Sequence, residues 1–287
     1  MTVTAATRTF AILGDPVSHS LSPVMQNAAF RAAGVDGIYV ALRCADPEAG
    51  GLLAGIARAG GGGNVTVPHK TLVRAYIEKP TELVLRTGAC NTFWLENGRI
   101  CGDNTDVIGF AASAADLLGS CAGIRALLIG AGGGARAAAI ALMDARASDV
   151  AVLNRSPAQA QALVEGLAGS SCPLRLVQET QLADLEFDLV VNATPLGLEL
   201  RDPLPADLTR LRRVGAALDL VYRPGGTPWT RHAAALGVPA ADGIGMLVAQ
   251  GAAAFERWWR RPAPVEAMRA AVDAAAVGAP AHGGAPA

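Results

Sequence analysis

Residues 126–136 read ALLIGAGGGAR. A short apolar run enters a glycine-rich turn, and an alanine-rich helical segment continues through about Ala145. No other feature restricts the possible folds of this chain as strongly. A strand that runs into glycines and opens a helix gathers bare backbone N–H groups and the positive end of a helix dipole at one point, which suits a pyrophosphate. Gly130, Ala131, Gly132, Gly133 and Gly134 form the turn. A glycine spacing alone is weak, but here the preceding strand and following helix supply its required context.

Apolar runs recur at 149–153, 189–191 and 217–221, separated by helical segments. Such runs predict parallel strands buried on both faces. The expected class is α/β, with a Rossmann-type dinucleotide-binding domain. The second run ends at Leu153 and is followed by Asn154, Arg155 and Ser156. A site for NAD usually places an acidic residue here, to accept from the ribose hydroxyl. An amide, a guanidinium and a hydroxyl suit a 2′-phosphate instead, with arginine as its bidentate partner. NADP is therefore favoured. The same residues also read as a polar turn capping a helix at Ser156-Pro157.

The first hundred residues have a different rhythm. Phe10–Leu13 reads as a strand closed by Gly14-Asp15-Pro16, and residues 37–42 as another. Ser22-Pro23 opens a helix with serine as its N-cap and Gly34 beyond its end. Helical patterns cover 46–59, 71–78 and 81–86. Asn97-Gly98 between 91–95 and 99–101 predicts a hairpin. Between these lies GGGGNVTVPHK, residues 60–70. Its glycines suggest a sharp turn that delivers Asn64, Thr66 and Lys70 to one place. Residues 244–260 form an apolar helix, and the low-complexity tail, 271–287, is expected to be disordered.

Composition narrows the partners. A net charge of −1 and few aromatic residues give no footprint for nucleic acid or an anionic membrane. No run of about 18 uncharged apolar residues predicts a membrane span. The N-terminus lacks the basic and apolar regions of a signal peptide, so a cytoplasmic location is expected. Five cysteines without a CxxC pair suggest buried thiols, and His19 and His69 lack a third ligand at suitable spacing, so no metal is expected.

Nine motifs, in order, carry a resemblance: HSLSP (19–23), NVTVPHK (64–70), GACNT (88–92), GDNTD (102–106), GAGGGAR (130–136), NRS (154–156), NATPLG (192–197), DLVYRP (219–224) and GMLVAQ (245–250). Together they resemble the shikimate dehydrogenase family over residues 10–260. The resemblance implies an N-terminal α/β substrate-binding domain, 1–106 rejoined by 241–270, and an NADP-binding domain, 107–240. It implies reversible oxidation of shikimate to 3-dehydroshikimate in aromatic amino-acid biosynthesis, by a monomer or homodimer. It assigns catalysis to Lys70 and Asp106, and places Ser20 and Ser22 against the substrate carboxylate. Thr66, Asn91, Asp106, Tyr222 and Gln250 would contact the ring hydroxyls or the carboxylate. Thr194, Leu220 and Gly243 would join the glycine turn and Asn154, Arg155 and Ser156 around the cofactor.

The residue chemistry is compatible with this assignment. Oxidation of an alcohol requires its proton to leave, and a lysine–acid pair can take it. Burial would lower a lysine pKa and a neighbouring carboxylate would raise it, so the sequence leaves two roles open: proton acceptor, or stabiliser of developing alkoxide charge. Taken singly, Lys70 reads as a solvated lysine, Asp106 and Ser22 as helix caps, and Gln250 as a buried amide. Gln159 stands where many NADP-using members carry a second cation. The alternatives are a quinate/shikimate dehydrogenase using NAD, and a non-catalytic dinucleotide-binding regulator.

Overall fold

A computed structural model describes residues 2–168, 172–199, 201–223 and 225–278. Two six-stranded sheets organise them. The first begins with β1 (Arg8–Gly14), α1 (Ser22–Ala32), β2 (Gly37–Arg43), α2 (Asp46–Arg58) and β3 (Gly62–Val65). It continues through β4 (Lys79–Pro80), α3 (Glu82–Thr87), β5 (Thr92–Glu96) and β6 (Arg99–Asp103). Its strand order is β2-β1-β3-β5-β6-β4. β1 pairs in parallel with β2 and β3, whereas β5 runs antiparallel to β3 and β6.

Alternation along β1 places Phe10 and Ile12 in one apolar cluster and Ala11 and Leu13 in another. Both faces are therefore covered, as the near-continuous apolar run requires. The β5–β6 hairpin turns at Asn97 and Gly98, both at positive φ (51° and 75°), which matches its Asn-Gly sequence.

Gly60 permits the turn, at φ +84°, whereas the three glycines after it are required for another reason. Gly62 and Gly63 lie within β3, between β1 and β5. A Cβ on Gly62 would approach the Phe93 carbonyl oxygen to 2.7 Å. One on Gly61 or Gly63 would overlap the carbonyl oxygen of Thr9 or Ala11, respectively. Glycine is required because neighbouring backbones leave no room for a side chain. The strand ends at Val65, so Thr66 and Val67 belong to the loop that follows.

The second sheet follows α4 (Thr105–Leu118). It comprises β7 (Arg125–Ile129), α5 (Gly133–Asp144), β8 (Asp149–Leu153), α6 (Pro157–Glu165), β9 (Leu174–Leu176), β10 (Glu186–Asn192), β11 (Arg213–Asp219), α7 (Pro228–Ala235) and β12 (Ala240–Ala241). Every pairing is parallel, in the order β12-β11-β10-β7-β8-β9. The chain starts in the middle at β7, winds outward to β9, and then returns to β10 on the other side. The strand order therefore reverses between β7 and β10, and ligands bind at the carboxyl ends of strands beside such a reversal.

The chain then returns to the first sheet. α8 (Ile244–Trp259) places Val248, Phe255 and Trp258 in the cluster containing Phe10. The Trp258 indole N–H donates to the Phe93 carbonyl at 3.2 Å. α8 is not the last helix: α9 (Val265–Gly278) follows, and Met268 and Val272 are fully buried in the same cluster. Residues 271–278, expected to be disordered, are therefore helical. Two apolar side chains four positions apart suffice to dock an alanine-rich segment whose composition looks featureless. Residues 279–287 lie outside the described residues. No described helix is long and apolar enough to cross a membrane.

Candidate active site

A cavity of about 230 Å³ is lined by residues from both sheets. β1 contributes Ile12, the loop after β3 contributes Thr66 and Lys70, and α8 contributes Gln250. Leu220 and Tyr222, from the loop after β11, close it from the other side. Ser20, Ser22, Asn91, Asp106 and Gly243 also line it. All the substrate-contacting and catalytic positions expected from the sequence thus face one cavity.

Lys70 Nζ lies 2.6 Å from Asp106 Oδ2. Asp106 sits in the first turn of α4, and its backbone N–H donates to Asn104 Oδ1 at 3.2 Å. Asn104, rather than Asp106, caps the helix. Asn91 fixes the other carboxylate oxygen: its Nδ2 donates to Asp106 Oδ1 at 2.8 Å and to Thr105 Oγ1 at 3.0 Å. Asn91 Oδ1 meanwhile accepts from the Thr105 N–H at 2.8 Å. A backbone donor can face only the carbonyl end of an amide, so this bond sets the orientation of Asn91. Both amide hydrogens are then engaged. Asn91 thus aims the Asp106 carboxylate while itself lining the cavity. Asn64 buttresses this network, donating to the Asn91 carbonyl at 3.1 Å and accepting from the Tyr39 hydroxyl at 2.7 Å.

Ser20 and Ser22 lie at the start of α1. The expected N-cap role of Ser22 is not realised: Leu21 is the N-cap, and no side chain caps the helix there. Ser20 Oγ instead accepts from the Ser22 backbone N–H at 3.2 Å. That bond uses a lone pair of Ser20 and leaves its proton to donate. Tyr222 joins them across the cavity. Burial pushes its phenol above the usual value, with a hydrogen bond from the Leu21 backbone acting the other way. Two serine hydroxyls and a phenol lining the same cavity form a donor set suited to a carboxylate. Gln250 donates to the Leu247 carbonyl at 2.9 Å and so retains one amide hydrogen.

The glycine turn adjoins this cavity. Leu220 lines the cavity and also lies beside Gly134, where its Cδ1 would be 3.3 Å from an added Cβ. Gly130 has φ +115°, and a Cβ there would meet the Ala193 carbonyl at 2.8 Å. Gly132 is the N-cap of α5 with no side-chain cap, and Gly133 begins the helix. A Cβ at either residue would point into open space. The first turn of α5 therefore offers uncapped N–H groups beneath a cradle free of side chains, and it fits a pyrophosphate.

The ribose end is leaner than the sequence suggests. Asn154 Nδ2 donates to the Ser156 carbonyl at 3.0 Å and to Gln159 Oε1 at 3.2 Å. Its donors hold the turn. Ser156 is the N-cap of α6, but its hydroxyl makes no capping bond. Arg155 is exposed. Arg155 and the Ser156 hydroxyl are the groups of this turn left without such bonds to the turn itself. Thr194 is likewise tied down, donating from both N–H and Oγ1 to Asn192 Oδ1, at 3.0 and 2.7 Å.

Sequence reasoning missed the device beneath this crevice. Asp219, fully buried, accepts from Asn192 Nδ2 at 2.7 Å, the Val221 N–H at 3.0 Å and Thr227 Oγ1 at 2.6 Å. The loop bearing Thr194 and the loop bearing Tyr222 are thereby fastened to one carboxylate. Asp219 opens the DLVYRP motif and Thr227 follows its end, but nothing in their spacing announces that the two side chains meet.

Three family descriptions match the chain: the shikimate dehydrogenase substrate-binding domain over residues 12–93, shikimate/quinate 5-dehydrogenase over 112–197, and the shikimate 5′-dehydrogenase C-terminal domain over 243–272. The NADP(+) shikimate dehydrogenase of Geobacter metallireducens is 40% identical over 283 residues, covering 96% of this chain and 99% of that protein. A crystal structure of shikimate 5-dehydrogenase from Thermus thermophilus, with NADP(H) and shikimate, is 38% identical and superposes with a TM-score of 0.82, covering 93% of this chain and 99% of the other. The Listeria monocytogenes shikimate 5-dehydrogenase, crystallised with shikimate and NAD, is 29% identical with a TM-score of 0.85, covering 95% of this chain and 98% of the other. With this likeness spanning nearly the full length of the chain and of its relatives, the chain belongs to the shikimate dehydrogenase family.

Proposed function

We propose that this protein is an NADP-dependent shikimate dehydrogenase, which reversibly oxidises shikimate to 3-dehydroshikimate. The observation that carries the reading is the 2.6 Å Lys70–Asp106 pair, in a cavity that Ser20, Ser22 and Tyr222 also line. A ring acid with a carboxylate at one end and an oxidisable alcohol at the other suits that arrangement. We assign substrate binding to residues 1–106 with 241–270, and cofactor binding to 107–240. Working partners are small molecules, the location cytoplasmic, the pathway aromatic amino-acid biosynthesis, and the assembly a monomer or homodimer.

NADP, when bound, supplies the hydride acceptor. The chain does the rest. Ser20, Ser22 and Tyr222 hold the carboxylate and so fix the ring orientation. Thr66 and the free amide hydrogen of Gln250 serve the ring hydroxyls. The alcohol proton passes to the Lys70–Asp106 pair, and the remaining N–H bonds of Lys70 stabilise charge developing on the substrate oxygen. Asn91 holds the carboxylate in place while this happens. Gly132 and Gly133 leave room for the pyrophosphate at the start of α5, and Arg155 with Ser156 reads the 2′-phosphate.

A second reading, a quinate/shikimate dehydrogenase using NAD, draws on the neutral Gln159 and on Asn154, which donates to it. One assay separates the two: purified protein with shikimate or quinate and NADP or NAD, followed by absorbance of the reduced nicotinamide. Fastest turnover with shikimate and NADP is expected. No reduction from shikimate with either cofactor defeats the proposal, and preference for quinate with NAD replaces it.

A further inference from the structure

His69 precedes Lys70 and is buried, with only 1% of its side chain exposed. Both ring nitrogens are engaged. Nδ1 lies 2.7 Å from Asp46 Oδ1, in the first turn of α2, and Nε2 lies 2.8 Å from the Cys44 carbonyl oxygen. An apolar side chain of similar size would fill this space without needing partners. A buried polar ring is retained at a cost unless its bonds are made. The Asp46 carboxylate and the Cys44 carbonyl are both acceptors, so a ring with one N–H donates to one of them and a ring with two donates to both; contacts in two directions fix the position and the rotation of the ring.

What these bonds secure is the segment that carries the active-site lysine. The His69 backbone N–H donates to the Thr66 carbonyl at 3.0 Å, closing the turn after β3. The Lys70 carbonyl accepts from the Cys90 N–H at 2.8 Å, joining the same turn to the segment that bears Asn91. Lysine has a long, flexible stem. Its amino group is held at one end by Asp106, so the placement of its backbone decides whether the group also reaches the substrate oxygen. We propose that His69 is a positioning residue for Lys70, fastening the lysine-bearing turn to the residues that open α2 and thereby setting the reach of the amino group in the cavity. This rests on the functional reading above, in which Lys70 handles the alcohol proton.

The test uses His69→Phe, which keeps a ring and loses both bonds, and Asp46→Ala, which removes one bond at an exposed position. Turnover of shikimate should fall about ten- to a hundredfold in His69→Phe, as displacement of a reacting group by roughly an ångström does. The Michaelis constant for NADP should stay within about twofold of the parent protein. Asp46→Ala should show a smaller fall in the same direction. A second readout needs no substrate: acetylation of Lys70 by acetic anhydride, followed by mass spectrometry, should quicken in both variants. A purely structural role would lower the melting temperature but leave turnover per folded molecule and Lys70 labelling unchanged, and that result overturns the proposal. If His69→Phe does not fold, Asp46→Ala carries both readouts. If the parent protein does not oxidise shikimate, the functional reading fails, and labelling alone decides whether His69 positions Lys70.

Discussion

Lys70 Nζ and Asp106 Oδ2 stand 2.6 Å apart although the first residue follows the central strand β3 and the second opens α4, beyond the hairpin that ends in β6. Two separate strand ends converge because β5 lies between β3 and β6 in the sheet. The pair is therefore held by the sheet as well as by its own attraction. Lys70→Ala should leave cofactor affinity nearly intact and lower turnover by roughly 10²–10⁴, the range for losing a general acid–base group. Steady-state rates and a cofactor titration of the purified variant measure this. Near-normal turnover would remove Lys70 from the chemistry.

The carboxylate end is tested separately. Ser20→Ala combined with Ser22→Ala should raise the Michaelis constant for shikimate with a smaller effect on turnover, since hydrogen bonds to a charged group contribute roughly 1.5–3 kcal/mol each. Helix capping does not confound the result, because the Ser22 side chain makes no cap bond. The double variant also removes the hydrogen bond between Ser20 Oγ and the Ser22 N–H, and thermal melting reports its effect on the fold. An unchanged Michaelis constant would place the substrate carboxylate elsewhere.

The sequence made the site legible where its chemistry lies at strand ends inside short motifs. GDNTD and NVTVPHK each bring a reactive side chain with its own loop signals. It was less informative where the reason for a residue is a neighbour distant in the chain. Gly61–Gly63 looked like a turn, because the flanking carbonyls of Thr9, Ala11 and Phe93 belong to other strands. The orientation of the Asn91 amide could not be read from GACNT, because only the fold brings the Thr105 N–H to it. His69 gave no hint of Asp46, and α9 gave no sign that Met268 and Val272 find a core. Local signals announce which backbone shape a residue favours. They do not announce which partner arrives from another element.

Asp219 offers a pH-dependent test of the network under the crevice. Burial raises its pKa above 3.8, while hydrogen bonds from Thr227, the Val221 N–H and Asn192 pull it down. A carboxyl group whose folded pKa is raised contributes stability that is present below its unfolded pKa and lost as pH rises through the folded one. Thr227→Val removes one of the lowering donors, so the folded pKa moves further up and the loss extends to higher pH. The stability gap between parent and variant should keep a constant part from the lost α7 cap bond, and should widen beyond it as pH rises through the raised folded pKa of Asp219 in the parent. At neutral pH it should reach about 1–3 kcal/mol, as expected for a buried acceptor left short of a donor. Urea denaturation across this pH range measures the gap. A gap independent of pH would show that Thr227 matters as the N-cap of α7 and not through Asp219.

The cofactor proposal rests on one exposed guanidinium. Arg155 follows β8, at the point where the Rossmann arrangement reads the ribose, and no acidic residue stands beside it to hold a pair of ribose hydroxyls. Asn154 is occupied with Ser156 and Gln159, so it offers a phosphate little. That leaves Arg155 to pair with the 2′-phosphate, a group NAD lacks. A charge-assisted contact of roughly 1.5–3 kcal/mol corresponds to about ten- to 150-fold in affinity. An exposed pair is screened by solvent, and Gln159 adds no second cation, so the lower end of that range is expected. Arg155→Ala should therefore weaken NADP about tenfold and leave NAD nearly unchanged. Raising the ionic strength should shrink the difference between the cofactors in the parent protein and have little effect in the variant. Dissociation constants for both cofactors in both proteins, at two salt concentrations, test this. Equal weakening of NADP and NAD would mean that Arg155 holds the turn instead of reading the phosphate, and the NAD-using alternative would then gain the support that NADP loses.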